Sequence, residues 1–230
     1  MKVSLQILTI TILAAVMFCG CNSTKKNTDK ELTLTENEKD KAKLLKQIER
    51  KYEDPQAHFE LGQLYQSDGL WAQAEQQYNT ALGFDPAHRD AQAARVKVLL
   101  AMGDKEKSEL LAEIYTNQAS NTAAGSLKLG LAFQNERLDE YALACYQQAL
   151  RLAPNSAKIN RQIGYYYLSK EDKVKGQDYL SRSFQLNPNQ PDVARQLGQL
   201  GVAVTIPRKV EKRTGKLDKI VDESDKDLEK

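Results

Sequence analysis

The chain is 230 residues long, and its 33 Lys and Arg stand against 31 Asp and Glu, a formal net charge of +2. That near-balance lacks the clustered basic face of a nucleic-acid binder, so no nucleic-acid partner is expected. With 41% hydrophobic residues the chain can bury a core, but it has no CxxC or HExxH spacing and no phosphate-binding glycine loop, so neither metal nor cofactor is expected.

Residues 1–21, MKVSLQILTITILAAVMFCGC, read as an export signal. Lys2 is the charged start, and Ile7 to Phe18 is an apolar run too short to span a bilayer comfortably. The end, Phe18-Cys19-Gly20-Cys21, resembles the lipobox of bacterial lipoproteins, in which a small residue precedes the cysteine that receives lipid after cleavage. Gly20 makes Cys21 the acceptor; Cys19 sits behind bulky Phe18 and fits less well. The resemblance implies a mature chain that starts at lipidated Cys21 and is held at the periplasmic face of an outer membrane. An ordinary signal or an uncleaved anchor is the alternative. Residues 22–34 are polar without periodicity, a flexible tether. Residues 35–54 predict a helix capped by Thr35, with Leu44, Leu45, Ile48 and Tyr52 on one face. Barely two heptads long, it is read as an N-terminal cap on residues 55–88 rather than a coiled coil.

Residues 55–88 organise the rest. Leu61-Gly62 precedes Tyr65, then come Ala74, Tyr78 and Ala81, and Pro86 closes the unit. Leu61 and Tyr65 share one helix face, as Ala74 and Tyr78 share the next, while Gly62 and Ala74 are small where the two helices would cross. Gly69 ends the first helix and Pro86 stops the second. A step of 34 residues from Gly62 reaches Val96, Gly130 and Gly164, and from Pro86 it reaches Ser120, Pro154 and Pro188. The third unit (123–156) carries Leu129-Gly130, Phe133, Ala142, Tyr146 and Pro154; the fourth (157–190) carries Ile163-Gly164, Tyr167, Gly176 and Pro188. The second (89–122) is degenerate: Val96 replaces the glycine and Ala112 the aromatic, so bulk moves from the second helix to the first. Arg95 there is expected to pack its stem and send its head to solvent.

This pattern resembles the tetratricopeptide repeat (TPR), a helix–turn–helix of the same length. His58 stands where the family has its first aromatic. The resemblance implies an all-α solenoid of four TPR units. Residues 191–203 would form a C-terminal capping helix. The tail, 204–230, runs from basic (Arg208 to Lys219) to acidic (Asp222 to Glu229). It is either a solvated end, or a helix with Leu217, Ile220, Val221 and Leu228 on one stripe that docks in the groove or on a partner.

Nothing in the chain assembles catalytic chemistry. His58 falls on a packing position, His88 in a turn, and Cys145 beside Tyr146 reads as a buried structural thiol. In the TPR family the first helices line a concave groove. The corresponding positions are Gln56, Phe59, Gln63 and Gln66, then Lys97 and Leu100, then Leu127, Leu131 and Gln134, and finally Arg161, Tyr165 and Leu168. These residues suit an amphipathic or extended peptide of another protein. Phe59 and Gln63 stand where carboxylate-gripping TPR modules begin their Lys/Asn set, so that activity is not inferred. Signal plus tandem TPRs resembles the pilotin lipoproteins of type IV pilus and secretion systems, which help a secretin assemble. It is also similar to TPR lipoproteins that dock peptidoglycan hydrolases or proteases at the outer membrane. The expectation is a lipid-anchored, non-enzymatic scaffold.

Overall fold

The structure is a computed structural model that describes residues 35–204. The expectations for residues 1–34, Cys21 included, and for the tail from 205 onward lie outside the described residues. Among the described residues there are ten helices and no strand. α1 (Glu36–Arg50) leads. Four pairs follow: α2 (Pro55–Ser67) with α3 (Trp71–Phe84), α4 (Arg89–Ala101) with α5 (Lys105–Ala119), α6 (Ala123–Asn135) with α7 (Asp139–Leu152), and α8 (Ala157–Ser169) with α9 (Lys173–Leu186). α10 (Pro191–Gln199) closes the stack. Helices pack on their chain neighbours, and α4 also touches α2 and α6. The architecture is an all-α solenoid of four helix–turn–helix units between single capping helices.

Local chemistry sets the ends of each unit. The side chains of Asp54, Thr122 and Ser156 accept from backbone N–H groups at the starts of α2, α6 and α8, satisfying donors that have no partner inside the helix. The first helix of every unit then stops in the same way. Residues 69, 103, 137 and 171 take left-handed φ of 73°, 86°, 59° and 62°. The next residue's N–H reaches back to Tyr65, Leu99, Phe133 or Tyr167 carbonyl oxygen at 2.8–3.0 Å, closing the turn. Glycine occupies this position only at Gly69 and Gly103; Arg137 and Glu171 adopt it with a side chain in place, against the steric preference of L-residues.

A size complementarity repeated along the chain holds each pair together. A Cβ on Gly62 would sit 2.6 Å from the Tyr78 ring, one on Gly130 2.7 Å from Tyr146, and one on Gly164 2.7 Å from Leu180. In the second unit the bulk is reversed: Val96 and Ala112 occupy the equivalent places, both fully buried, and Ser108 Oγ donates to the Val96 carbonyl at 3.1 Å. Leu61, Ala74, Tyr78, Leu129, Phe133, Ala142 and Tyr146 are fully buried and Ile163 nearly so. Tyr65, Tyr167 and Pro188 are half-buried, and Pro86 and Pro154 lie exposed in the turns between units.

A second repeated device is polar. His58, Gln92, Ser126 and Asn160 stand 34 residues apart on the four first helices, all buried. Each meets a backbone carbonyl shortly before its helix: His58 Nε2 lies 2.8 Å from Tyr52 O, and Gln92 Nε2 donates to Pro86 O at 2.7 Å. Ser126 Oγ donates to Ala119 O at 3.1 Å, and Asn160 Nδ2 to Pro154 O at 3.2 Å. These side chains clamp the turns between successive elements, supplying donors that an aromatic residue there would lack.

Two expectations are corrected. In α1 the buried stripe is Leu44 and Ile48, on Ala57 and Leu61. Leu45 points outward at 44% exposure, because one helix laid on one neighbour needs only a narrow stripe; Tyr52 lies beyond the helix, its ring edge-on to His58 and Phe84. The Arg95 head is mostly withdrawn from solvent, with 15% of the side chain exposed. Its Nε and Nη2 donate to Glu75 Oε1 at 3.0 and 2.9 Å, joining the first and second units.

Candidate partner-binding groove

The first helices α2, α4, α6 and α8 present three repeating positions to one face. The clearest sign of curvature is a hydrogen bond that skips a unit: Gln66 Nε2 on α2 donates to Glu136 Oε2 beyond the end of α6 at 3.0 Å. Such a bond requires the outer two helices to lean together over α4, so this face is concave. Gln162 Nε2 to Gln134 Oε1 (3.4 Å) links α8 to α6 on the same side.

The predicted groove residues separate by repeat position. Gln63, Lys97, Leu131 and Tyr165 form one series, with Gln63 exposed and the others half-buried. Gln66, Leu100, Gln134 and Leu168 form a second, all half-buried. Its polar members Gln66 and Gln134 accept from the hydroxyls of Tyr78 and Tyr146; Leu100 and Leu168 stand in the units where the residue twelve positions on is apolar, Ala112 or Leu180. The third series is a correction. Phe59 and Leu127 are not open groove side chains, at 8% and 2% exposure. They share their position with fully buried Ala93, in the seam where adjacent first helices meet, and Phe59 also packs on Tyr78 and His88 at ring separations of 5.8 and 4.8 Å. Arg161, the fourth member, is half-buried because only short α10 lies beside it.

The α8 end of the face is partly covered. Arg161 Nη1 lies 3.9 Å from Asp192 Oδ2 and the Tyr165 hydroxyl donates to it at 3.1 Å. Burial, then the Asp192 charge, pushes the Tyr165 hydroxyl up to about 12. Leu168 fills the space left by Gly176, and Tyr165, Leu168, Val202 and Val204 all pack against the cluster of Leu180, Phe184, Val193 and Leu197. The stretch left open runs from α2 to the end of α6: Gln63, Lys97, Leu100, Leu131, Gln134 and Glu136. Sequence reasoning missed Glu136. Its only signal was that a two-unit step from Asp68 lands on a second carboxylate.

The residues weighed for catalysis are committed to packing. His58 Nδ1 lies 2.7 Å from Gln77 Oε1 and His88 Nδ1 accepts from the Ala91 N–H at 3.2 Å, capping α4. The Cys145 thiol is 1% exposed, and burial pushes its pKa up to about 11, so at neutral pH it is a thiol and a poor nucleophile. Among the described residues no three of His, Cys, Asp or Glu gather as a metal site.

Residues 55–88 match the model of the tetratricopeptide repeat family. Two curated proteins are similar over about 150 residues each. One is the type IV pilus assembly protein PilF of Pseudomonas aeruginosa, 27% identical over 150 residues that make up 63% of this chain and 58% of that protein. The other is the human protein O-mannosyl-transferase TMTC1, 27% identical over 149 residues, 60% of this chain and 16% of that protein. The chain thus spans little over half the length of the first and a small part of the second. Among solved structures, a thermophilic TPR protein of Thermus thermophilus is 17% identical with a TM-score of 0.41, covering 71% of this chain and 89% of that one.

Proposed function

We propose that the chain is a non-enzymatic scaffold that binds a segment of another protein in the groove of its first helices. The open stretch supports this reading: Leu100 and Leu131 are apolar and half-buried on the same face as Lys97, Gln134 and Glu136, a mixture suited to an amphipathic segment. The buried Cys145 and the fully engaged histidines offer no alternative centre for chemistry.

In the fuller reading the chain is anchored by lipid at Cys21 to the periplasmic face of an outer membrane and helps a secretin, pilus or secretion complex assemble. The export-type start of the sequence and the similarity to a pilus assembly protein support it. A docking place for peptidoglycan hydrolases or proteases uses the same anchor and groove and differs only in what is bound. A photo-crosslinking residue at Leu131 in native membranes tests both. Crosslinks to a secretin or pilus subunit, lost in Leu100→Asp, are expected; crosslinks to wall enzymes select the second reading. Crosslinks that ignore the groove substitution exclude the groove altogether. Mass spectrometry of the mature N-terminus, finding Cys21 without acyl chains, would remove the anchor.

A further inference from the structure

Glu136 is a half-buried carboxylate on the groove face. It follows the last residue of α6, and among the described residues its carboxylate receives one hydrogen bond, from Gln66. The Tyr78 hydroxyl holds the Gln66 amide by its oxygen at 2.8 Å, which keeps the NH2 aimed at Glu136. No described cation lies within ion-pair distance of it; Lys97 acts on it from farther off and Asp90 opposes it, both from α4. Burial pushes the Glu136 carboxyl above the ordinary range. A desolvated carboxylate in a cleft, held by an oriented neutral amide, lacks a counter-charge in direct contact.

The same repeat position in the first unit shows the missing complement. Asp68 accepts from the Lys41 ammonium and from Asn37 Nδ2 at 3.1 Å, with Lys41 Nζ also 5.5 Å from the Tyr65 ring centroid. An amide and a lysine together satisfy the carboxylate there. Glu136, one methylene longer and turned into the groove, has the amide alone. Leu100 and Leu131, half-buried on α4 and α6, offer an apolar floor for an alkyl stem.

We propose that Glu136 is a recognition carboxylate, which takes the ammonium or guanidinium of a lysine or arginine on the protein segment bound in the groove. The inference rests on the groove reading and specifies its partner: an amphipathic segment with a basic residue near its centre. At the Glu136 carboxylate, which has no cation in contact among the described residues, charge complementarity favours a basic residue over an acidic or C-terminal-carboxylate one.

Peptide display against the immobilised full chain, in parallel with Glu136→Gln and Leu131→Asp, tests it with a random peptide library as probe. Wild type should enrich apolar peptides with Lys or Arg at one fixed position. Glu136→Gln should bind those peptides at least about tenfold more weakly, and its own selections should lose the basic residue. It should melt at the same temperature as wild type or higher, since the amide keeps a bond to Gln66 while a buried charge is removed. Basic enrichment that persists on Glu136→Gln, or its absence from wild-type selections, overturns the proposal. So does a sharply lower melting temperature, which would make the carboxylate part of the fold. Peptides that bind Leu131→Asp as well as wild type sink the groove reading itself. Displacement of the selected peptides by a synthetic 205–230 peptide at equal or lower concentration would make this chain's own tail the occupant and overturn an external partner.

Discussion

Single positions in this solenoid repeat a physical task more faithfully than a residue type. At the turn position 69, 103, 137 and 171 the task is a left-handed backbone, done by glycine twice and by Arg137 and Glu171 otherwise. L-residues pay about 1–2 kcal/mol there, which glycine avoids. Arg137→Gly should therefore stabilise the chain by about 1 kcal/mol, less what the more flexible unfolded chain takes back. Thermal melting should show a rise of a few degrees, and a fall would mean that the Arg137 side chain has a stabilising role which its backbone strain conceals. The same substitution at Gly69 or Gly103 has no counterpart, since those turns are already relaxed.

At the scale of elements, what joins one unit to the next is the buried polar clamp. The Asn160 amide donates to the carbonyls of Pro154 and Ser156, tying the start of α8 to the turn after α7. Asn160→Ala leaves a carbonyl of that turn without its donor and should cost about 1–3 kcal/mol. Exposed Asn79→Ala on α3 should stay within about 0.5 kcal/mol of wild type. Urea denaturation of the two variants decides; equal midpoints would reduce the clamp to an incidental contact. The family's aromatic at this position would fill volume, whereas His58, Gln92, Ser126 and Asn160 each satisfy a carbonyl, so the apparent failure of His58 to fit the repeat is a different solution to closing the same seam.

Across the whole molecule the core is a chain of neighbouring clusters, from Leu44 and Ile48 against α2 to Leu180 and Phe184 against α10. Burial holds the Tyr78, Tyr146 and Cys145 side chains neutral. Burial raises the pKa of Tyr78 and Tyr146, and takes Cys145 from 9.0 to about 11. For a group raised in the folded state, the stability it contributes is complete below the unfolded value and is lost as pH climbs through the folded one. The melting temperature should hold from neutrality to about pH 9, then fall through pH 11. Cys145→Ala should be less stable at neutral pH, because a buried side chain is truncated, yet decline less steeply in that window. Parallel curves for the two proteins would show that the thiol does not titrate with unfolding.

The stride of 34 residues, the helix pairs and the exchange of bulk between Val96 and Ala112 are legible in the chain because each is a local pattern of size and polarity. Phe59 and Leu127 show where that legibility stops. Within one unit they look like residues facing a groove, and only the approach of the adjacent first helix buries them. Arg95 meets Glu75 from a different unit, and Glu136 meets Gln66 from two units away. Curvature is the accumulated result of stacking one unit on another, so no single repeat contains it. The sequence by itself determined the repeating unit; the tertiary structure alone decided which face closes, which stays open, and which carboxylate is left facing the opening.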